Sequence, residues 1–328
     1  MNRAILLLAL MAALALVTLA ACTSSKAGPT SSEGAIPSPT TPIPAQIPSL
    51  KPYTLFISPE GDMQAILGTT VLRPGPQRMA FLLVGPKAII NIPEATVKTF
   101  YPSDSAQPKE TKTAHFSQWP YATKGSYTTN LSFDGPGKWR LDFEVDDHKG
   151  FNSKAQLLVE VNDGYGVVDI GSLAPASENK TLDNVSGLSQ LSSAHMPDPD
   201  LYTTTIADAL KSGRPTMAVF ATPAFCTSPT CGPQVETVHE LKERYKGRAH
   251  FIHVEVYDNP HEVQGDLRRA RLSPVMVQWG LTTIPYWANE SWVFVVDKDG
   301  RVSARFEAYA VASELEEALL RVLGEPNP

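Results

Sequence analysis

Residues 217–233 run MAVFATPAFCTSPTCGP, and the organisation of the chain's second half follows from them. Met217 to Ala221 is an uncharged apolar run ended by Thr222-Pro223, the pattern of a buried central strand. The run leads into Cys226 and Cys231, which are separated by Thr227-Ser228-Pro229-Thr230. Pro233 then suits the first turn of a helix, where a missing N–H costs nothing. From Gln234 to Lys246, Val235, Val238, Leu241 and Tyr245 recur at helical spacing, and Gly247 supplies the stop. A helix start presents unpaired N–H groups and the positive end of the peptide dipole, which favour a thiolate over a thiol. A thiolate is the attacking species in disulfide exchange, so the arrangement suits redox chemistry. Cys231 lies nearest the dipole and Cys226 further out.

Beyond these two, the chain has one more cysteine, Cys22. It follows a basic residue, Arg3, and a segment from Ala4 to Ala21 without a charge, interrupted in polarity by Thr18. This is the pattern of a secretory signal peptide over residues 1–21 rather than of a permanent span. Leu19-Ala20-Ala21-Cys22 resembles the lipobox of bacterial lipoproteins. The resemblance implies lipidation of Cys22, a chain anchored in the cell membrane, and a folded part on the extracytoplasmic face. With Cys22 so used, Cys226 and Cys231 are left in an oxidising compartment, where they are expected partners. Residues 22–50 are rich in Pro, Ser, Thr and Gly with few large apolar side chains, so burial cannot offset their ordering entropy. They are expected to be a disordered tether. The formal charge of −6 is spread along the chain without a basic run, which argues against nucleic acid as a partner.

Working outward from the cysteines, Ile206 to Ser212 is a short helix candidate and His250 to Tyr257 a strand. Trp292 to Val296 and Arg301 to Phe306 flank the hairpin signal Asp297-Lys298-Asp299-Gly300, and Ser313 to Leu323 closes as an amphipathic helix. Val219 to Cys226 resembles the strand-to-active-site segment of the thioredoxin-like superfamily, with Phe225 as the aromatic before the first cysteine. Ile170-Gly171-Ser172-Leu173-Ala174-Pro175 is similar to the Gly-x-x-Ala-Pro lead-in of its extracytoplasmic thioredoxin and peroxiredoxin branches. Val293 to Val302 is similar to the penultimate hairpin. The resemblance implies an α/β thioredoxin-like domain over residues 164–328 that exchanges disulfides through Cys226 and Cys231. Phe225, Pro233, Ser291 and Trp292 would support it, extracytoplasmic protein thiols or disulfides would be its partners, and no cofactor or metal is called for. If Cys226 matches the family's first cysteine it attacks and Cys231 resolves; if Cys231-Gly232-Pro233 is the better match, the roles swap.

The chain departs from that family in two places. Four residues stand between the cysteines where redox thioredoxins have two, and Ser291 stands where the family carries a cis-proline, with Pro285 six residues too early. A cis bond before a non-proline residue costs about 2.5–4 kcal/mol, so a trans bond or a remodelled loop is expected at Ser291. A peroxidase would need a proline where Ala224 stands, although Ser228 lies three residues before Cys231. A copper-handling protein would add a histidine before the last hairpin, where Asn289 stands, while His239, His250, His253 and His261 lie elsewhere. The remaining alternative is a non-catalytic binding or assembly lipoprotein in which the pair is a structural staple adding about 1–3 kcal/mol. Glu255 beside His253 on one strand, and Trp279, Trp287 and Trp292, are further residues of note, with core packing as the plainer reading of Trp292.

Residues 51–163 carry period-two alternation between turn signals, an all-β pattern. In Lys138 to Asp147, Trp139, Leu141, Phe143 and Val145 alternate with charged residues. Tyr127 to Phe133 meets Asp134-Gly135-Pro136-Gly137 and is expected to form a hairpin into the Trp139 strand, followed by a strand through Leu157, Val159 and Val161. Tyr53 to Ser58, Met79 to Val84, Ala95 to Tyr101 and Thr111 to Gln118 are the other candidates. About seven strands in this length predict an immunoglobulin-like sandwich. The segment from Gly125 to Leu141 resembles the closing hairpin of small extracytoplasmic β-sandwich domains, and the domain is expected to be a scaffold or binding module. His115 and His148 are expected to be solvated rather than metal ligands. The chain is thus expected to be multi-domain, an all-β immunoglobulin-like sandwich followed by an α/β thioredoxin-like fold.

Overall fold

A computed structural model describes residues 63–120, 124–284 and 291–326, all of which fall in one compact unit, Thr41–Pro328. The signal segment, Cys22, the tether, the strand expected at Tyr53 to Ser58, Pro285, Trp287 and Asn289 lie outside the described residues. No helix among the described residues is long and apolar enough to cross a membrane.

The first part is a sheet of seven antiparallel strands: β1 (Gln64–Leu67), β2 (Gly75–Val84), β3 (Glu94–Phe100), β4 (Glu110–Gln118), β5 (Gly125–Phe133), β6 (Gly137–Asp146) and β7 (Asn152–Val161). Alternation in β6 behaves as its sequence dictates, with Trp139, Leu141, Phe143 and Val145 buried and the charged residues between them facing outward. Phe81 stacks on Tyr127 at 5.5 Å and tilts against Phe143 at 4.7 Å, while Phe133 meets Trp139 edge-on at 5.0 Å. The strands are hydrogen-bonded in the single order β1-β2-β5-β4-β3-β6-β7, whereas an immunoglobulin-like sandwich would place them in two facing sheets. This sheet instead curls around its own apolar face, and the Asn162 N–H reaches the Leu72 carbonyl at 2.9 Å to tie its two ends together.

One local expectation is corrected. β5 and β6 do not form a hairpin: β5 pairs with β2 and β4, and β6 with β3 and β7. Each strand has both edges occupied, so Asp134-Gly135-Pro136 arches the chain from one part of the sheet to another. The indole N–H of Trp139 donates to the Gly135 carbonyl at 3.1 Å, and Tyr101 stacks on the same ring at 4.7 Å. Gly137 takes φ +127°, a conformation that L side chains rarely adopt, and a Cβ there would also press on Tyr101.

The second part is α/β. Its sheet runs β11-β10-β8-β9, built from β8 (Thr216–Ala221), β9 (His250–Glu255), β10 (Trp292–Val296) and β11 (Val302–Glu307). β8 and β9 are parallel and the other pairs antiparallel. With α1 (Ile206–Lys211), α2 (Cys231–Arg244), α3 (Pro260–Val263), α4 (Pro274–Gln278) and α5 (Ala312–Leu323), the chain order is strand, cysteine loop, helix, strand, hairpin and helix. That is the order the thioredoxin resemblance implies. All six residues of β8 are buried because both faces of the sheet are covered. Ala218 and Phe220 join Trp292 and Phe294 on one face, and Met217, Val219 and Ala221 join Val293 and Val295 on the other. The lead-in runs along β11: the Gly171 N–H bonds to the Val302 carbonyl and the Ala174 N–H to Gly300, both at 2.8 Å.

Glu307 and Arg78 make two of the contacts that join the two parts. The Glu307 carboxylate accepts from the N–H groups of Thr70 and Val71 at 2.8 and 2.9 Å and from the Thr70 hydroxyl. Arg78 grips Glu314 through Nε and Nη2 at 2.6 and 3.0 Å and also donates to the Tyr309 carbonyl at 2.8 Å. Gly280, at φ +69°, lets the connecting segment at Gly166 pass so close that a Cβ would collide with its backbone.

Candidate functional site: the cysteine loop at the start of α2

β8 ends at Ala221, and the chain turns at once, with the Phe225 N–H bonded to the Thr222 carbonyl at 3.1 Å. Phe225 is half-buried and meets Tyr257 edge-on at 6.0 Å. Cys226 follows, half-buried, and α2 opens on Cys231, which is completely buried among Met217, Val219, Val238 and Leu241. The two cysteines are joined by a disulfide across a Cα separation of 6.0 Å. Pro233 falls in the first helical turn, as its missing N–H predicts, and the Gln234 N–H closes the first helical bond to the Thr230 carbonyl at 2.8 Å. The buried Gln234 amide then exchanges two hydrogen bonds with the Ala310 backbone, at 2.7 and 3.3 Å, which fixes the helix start against the segment before α5. One sulfur therefore sits at a positive helix end inside the core and its partner toward solvent.

Beneath the loop lies a polar network of which the sequence marked only Glu255 and His253. Glu255, at the end of β9, is buried; its Oε2 accepts from the Ser193 N–H at 2.8 Å, and its Oε1 has no hydrogen-bond partner among the described residues. Burial pushes its carboxyl up to about 7, against the pull of the donors close to it, Thr222 and Ser193. The Ser193 hydroxyl in turn accepts from the Ala224 N–H at 3.1 Å, so the carboxyl is linked to the cysteine loop through one intervening residue. His253, two residues earlier, is also buried; burial pulls it down to about 4, against its hydrogen bond to the Ala221 carbonyl. Its Nε2 donates to that carbonyl at 3.1 Å, so Nδ1 of the neutral ring accepts from the Tyr202 hydroxyl at 2.6 Å. His253 is a packed, hydrogen-bonded residue and offers no free ligand nitrogen.

Of the other residues singled out from sequence, Ser291 precedes β10 at the sheet end that delivers the loop, since Trp292 pairs with Phe220 in register. Its side chain is fully buried, its Oγ has no partner among the described residues, and its carbonyl accepts from the Ala308 N–H at 2.9 Å. The bond from Glu290 to Ser291 lies outside the described residues. Trp292 is not brought to the disulfide: it points into the opposite face of the sheet and stacks with Phe294 at 5.7 Å. Trp279 packs in the same cluster. His115 and His148 are exposed.

A groove of about 370 Å³ flanks the loop, lined by Met196, Pro197, Pro223, Pro233, Val235 and His239 among others. Met196 is 85% exposed there, an unusual position for a flexible apolar side chain. Asp198, His239 and Glu243 gather their ligand atoms within 4.8 Å, a group that includes neither cysteine. The Lys242 ammonium already lies between Asp198, Glu243 and Asp200 at 2.5, 2.7 and 3.1 Å and serves as the cation of that cluster.

No family model matches the chain, and no curated protein matches it. Among solved structures, a thiol:disulfide interchange protein of the thioredoxin family from Chlorobium tepidum TLS is matched at 15% identity with a TM-score of 0.27, over 36% of this chain and 85% of that one.

Proposed function

We infer that the chain is a lipid-anchored, extracytoplasmic thiol-disulfide exchange protein working through Cys226 and Cys231 on protein thiols or disulfides outside the membrane. The observation that carries the reading is the asymmetry of the pair at a helix start: Cys226 half-buried in the loop, Cys231 sealed at the first residue of α2. A partner thiolate attacks the Cys226 sulfur, the bond to Cys231 breaks, and the Cys231 sulfur leaves as a thiolate favoured by the N–H groups and dipole of α2. A second partner thiolate attacks the mixed disulfide and releases Cys226; the two electrons come from the partner, which is left as a disulfide. Run in reverse, the same steps oxidise a dithiol. The lipobox-like sequence at Cys22 supports the tether and the compartment.

The test is the reduction potential of the native full chain in a thiol buffer, together with insulin reduction. An exchange-active pair equilibrates in the range of roughly −120 to −270 mV, and Cys231→Ser accumulates a mixed disulfide through Cys226. A bond that dithiothreitol leaves intact in the native state would remove the reading. The inert-staple alternative draws on one feature, the full burial of Cys231, and that resistant outcome is the one it expects.

A further inference from the structure

The groove of about 370 Å³ starts at the disulfide and follows α2. One wall is the segment 194–201; the other begins with Pro223, just ahead of Cys226, and with Gly232 and Pro233, which follow Cys231 directly. Val235, Glu236 and His239 continue it along the first turns of α2. Its apolar surface is made by Met196, Pro197, Pro223, Pro233 and Val235, none of them buried. Met196 is the most exposed large apolar side chain among the described residues. A flexible thioether adapts to side chains of varied shape, and an open apolar wall beside a disulfide is placed to touch whatever approaches that bond.

The fixed charge of the groove has one sign. Asp198 and Glu236 line it, and neither lysine nor arginine does. Asp198 is matched by Lys242 and His239, at 2.5 and 2.7 Å. Glu236 is exposed and has no ion-pair partner among the described residues, and Glu240, one turn further on, has none either. The basic residues of α2 and its end, Lys242, Arg244 and Lys246, turn to Asp198, Glu316 and Asp200 instead. An unmatched carboxylate next to an apolar wall complements a segment that brings an apolar and a basic side chain together. Glu236 lies five residues along α2 from Cys231, about 7.5 Å of helix, which about two residues of extended chain would span. We propose, on the basis of the exchange reading above, that this groove seats the chain flanking the partner's cysteine. It selects an extended segment that lays an apolar side chain on the Met196 wall and brings a lysine or arginine to Glu236, about two residues from that cysteine.

The test is the rate at which two thiol peptides open the disulfide of the native full chain at low salt. Both carry leucine on either side of a single cysteine; one has lysine and the other glutamate in the next position outward on each side. Each rate is divided by that of the same peptide with hydroxyethyl disulfide, which removes differences between the thiols themselves. The lysine peptide is expected to react roughly fivefold faster or more, with the preference fading in high salt. Glu236→Lys abolishes or reverses the preference, whereas Glu160→Lys, the same change of net charge on the exposed face of β7, keeps it. Met196→Ser slows the lysine peptide several-fold. Glu236 and Met196 are both exposed, so neither substitution disturbs the core. Equal rates for the two peptides, a preference that survives Glu236→Lys or is lost equally in Glu160→Lys, or a rate indifferent to Met196→Ser overturns the seating while dithiothreitol still opens the bond. A bond that dithiothreitol also leaves closed removes the exchange reading, and the seating with it.

Discussion

Glu255 makes the stability of this protein depend on pH in a direction opposite to that of an ordinary salt-bridged carboxylate. Its group is 6% exposed and its carboxyl is lifted from an ordinary 4.5 to about 7, chiefly by burial. Between those values the folded chain keeps a proton that the unfolded chain has released. The folded state therefore binds more protons, and stability falls as pH rises from about 4.5 to about 7, then levels off. A gap of roughly two and a half units, at about 1.4 kcal/mol each, amounts to about 3 kcal/mol. Glu255→Gln removes the titration while its amide oxygen can still accept from the Ser193 N–H. The variant should match the parent near about pH 5 and exceed it by about 2–3 kcal/mol near about pH 8. Urea unfolding of both chains across that range, with the disulfide intact, reads the difference. Glu307 is likewise raised to about 7 by burial and contributes to the parent's slope, but it is common to both chains and cancels. A stability difference that does not change with pH, or a variant weaker at the alkaline end, would refute the placement of a buried protonated carboxyl under the cysteine loop.

Two further substitutions test how the parts are held. Arg78→Ala strands Glu314 at a junction where the arginine side chain is 11% exposed and should cost about 3 kcal/mol in urea unfolding; a loss within about 0.5 kcal/mol would show that the pair does not hold the parts together. Gly280→Ala must fit a methyl group against the Gly166 backbone at a positive φ and should destabilise by several times the roughly 1 kcal/mol of an ordinary glycine replacement, with a large fall in thermal midpoint; an unchanged midpoint would mean that residues 164–168 do not run along this path.

The elements of the α/β part were legible because each satisfies its own local rule. The uncharged run before Cys226 is β8, the spacing of Val235, Val238 and Leu241 is α2, and Asp297 to Gly300 turns β10 into β11. In the sheet-rich part the strands were legible and their neighbours were not. β1 is four residues long and escaped notice beside longer runs. Asp134-Gly135-Pro136-Gly137 has the chemistry of a tight turn whether the strands it joins pair or part. What separates the two outcomes is that β3 and β7 take up the edges of β6, a matter of long-range pairing that no local signal carries.

The same distinction governs the site. The cysteines announced themselves by type and spacing, and Pro233 gave the helix start within two residues, so one sulfur's place on the helix followed from the sequence. Which sulfur is shielded did not, because the shield is assembled from β8, α2 and α5 together. Ser193 could not be read as part of the site: it comes from an irregular stretch with no periodicity, thirty-one positions before the Ala224 N–H that it accepts. Glu255 did leave a trace, a carboxylate among the buried residues of β9, where charge is rarely tolerated without a reason. Arg78, Glu307 and Glu314 left none, since each looks like an ordinary surface charge until the two parts close on it. A chain that keeps its paired sulfurs on a locally encoded turn and the groups around them on distant segments has a candidate site that can be located from sequence. The surroundings of that pair cannot, because the carboxyl, the groove and the helix anchor beside it are properties of the assembled fold.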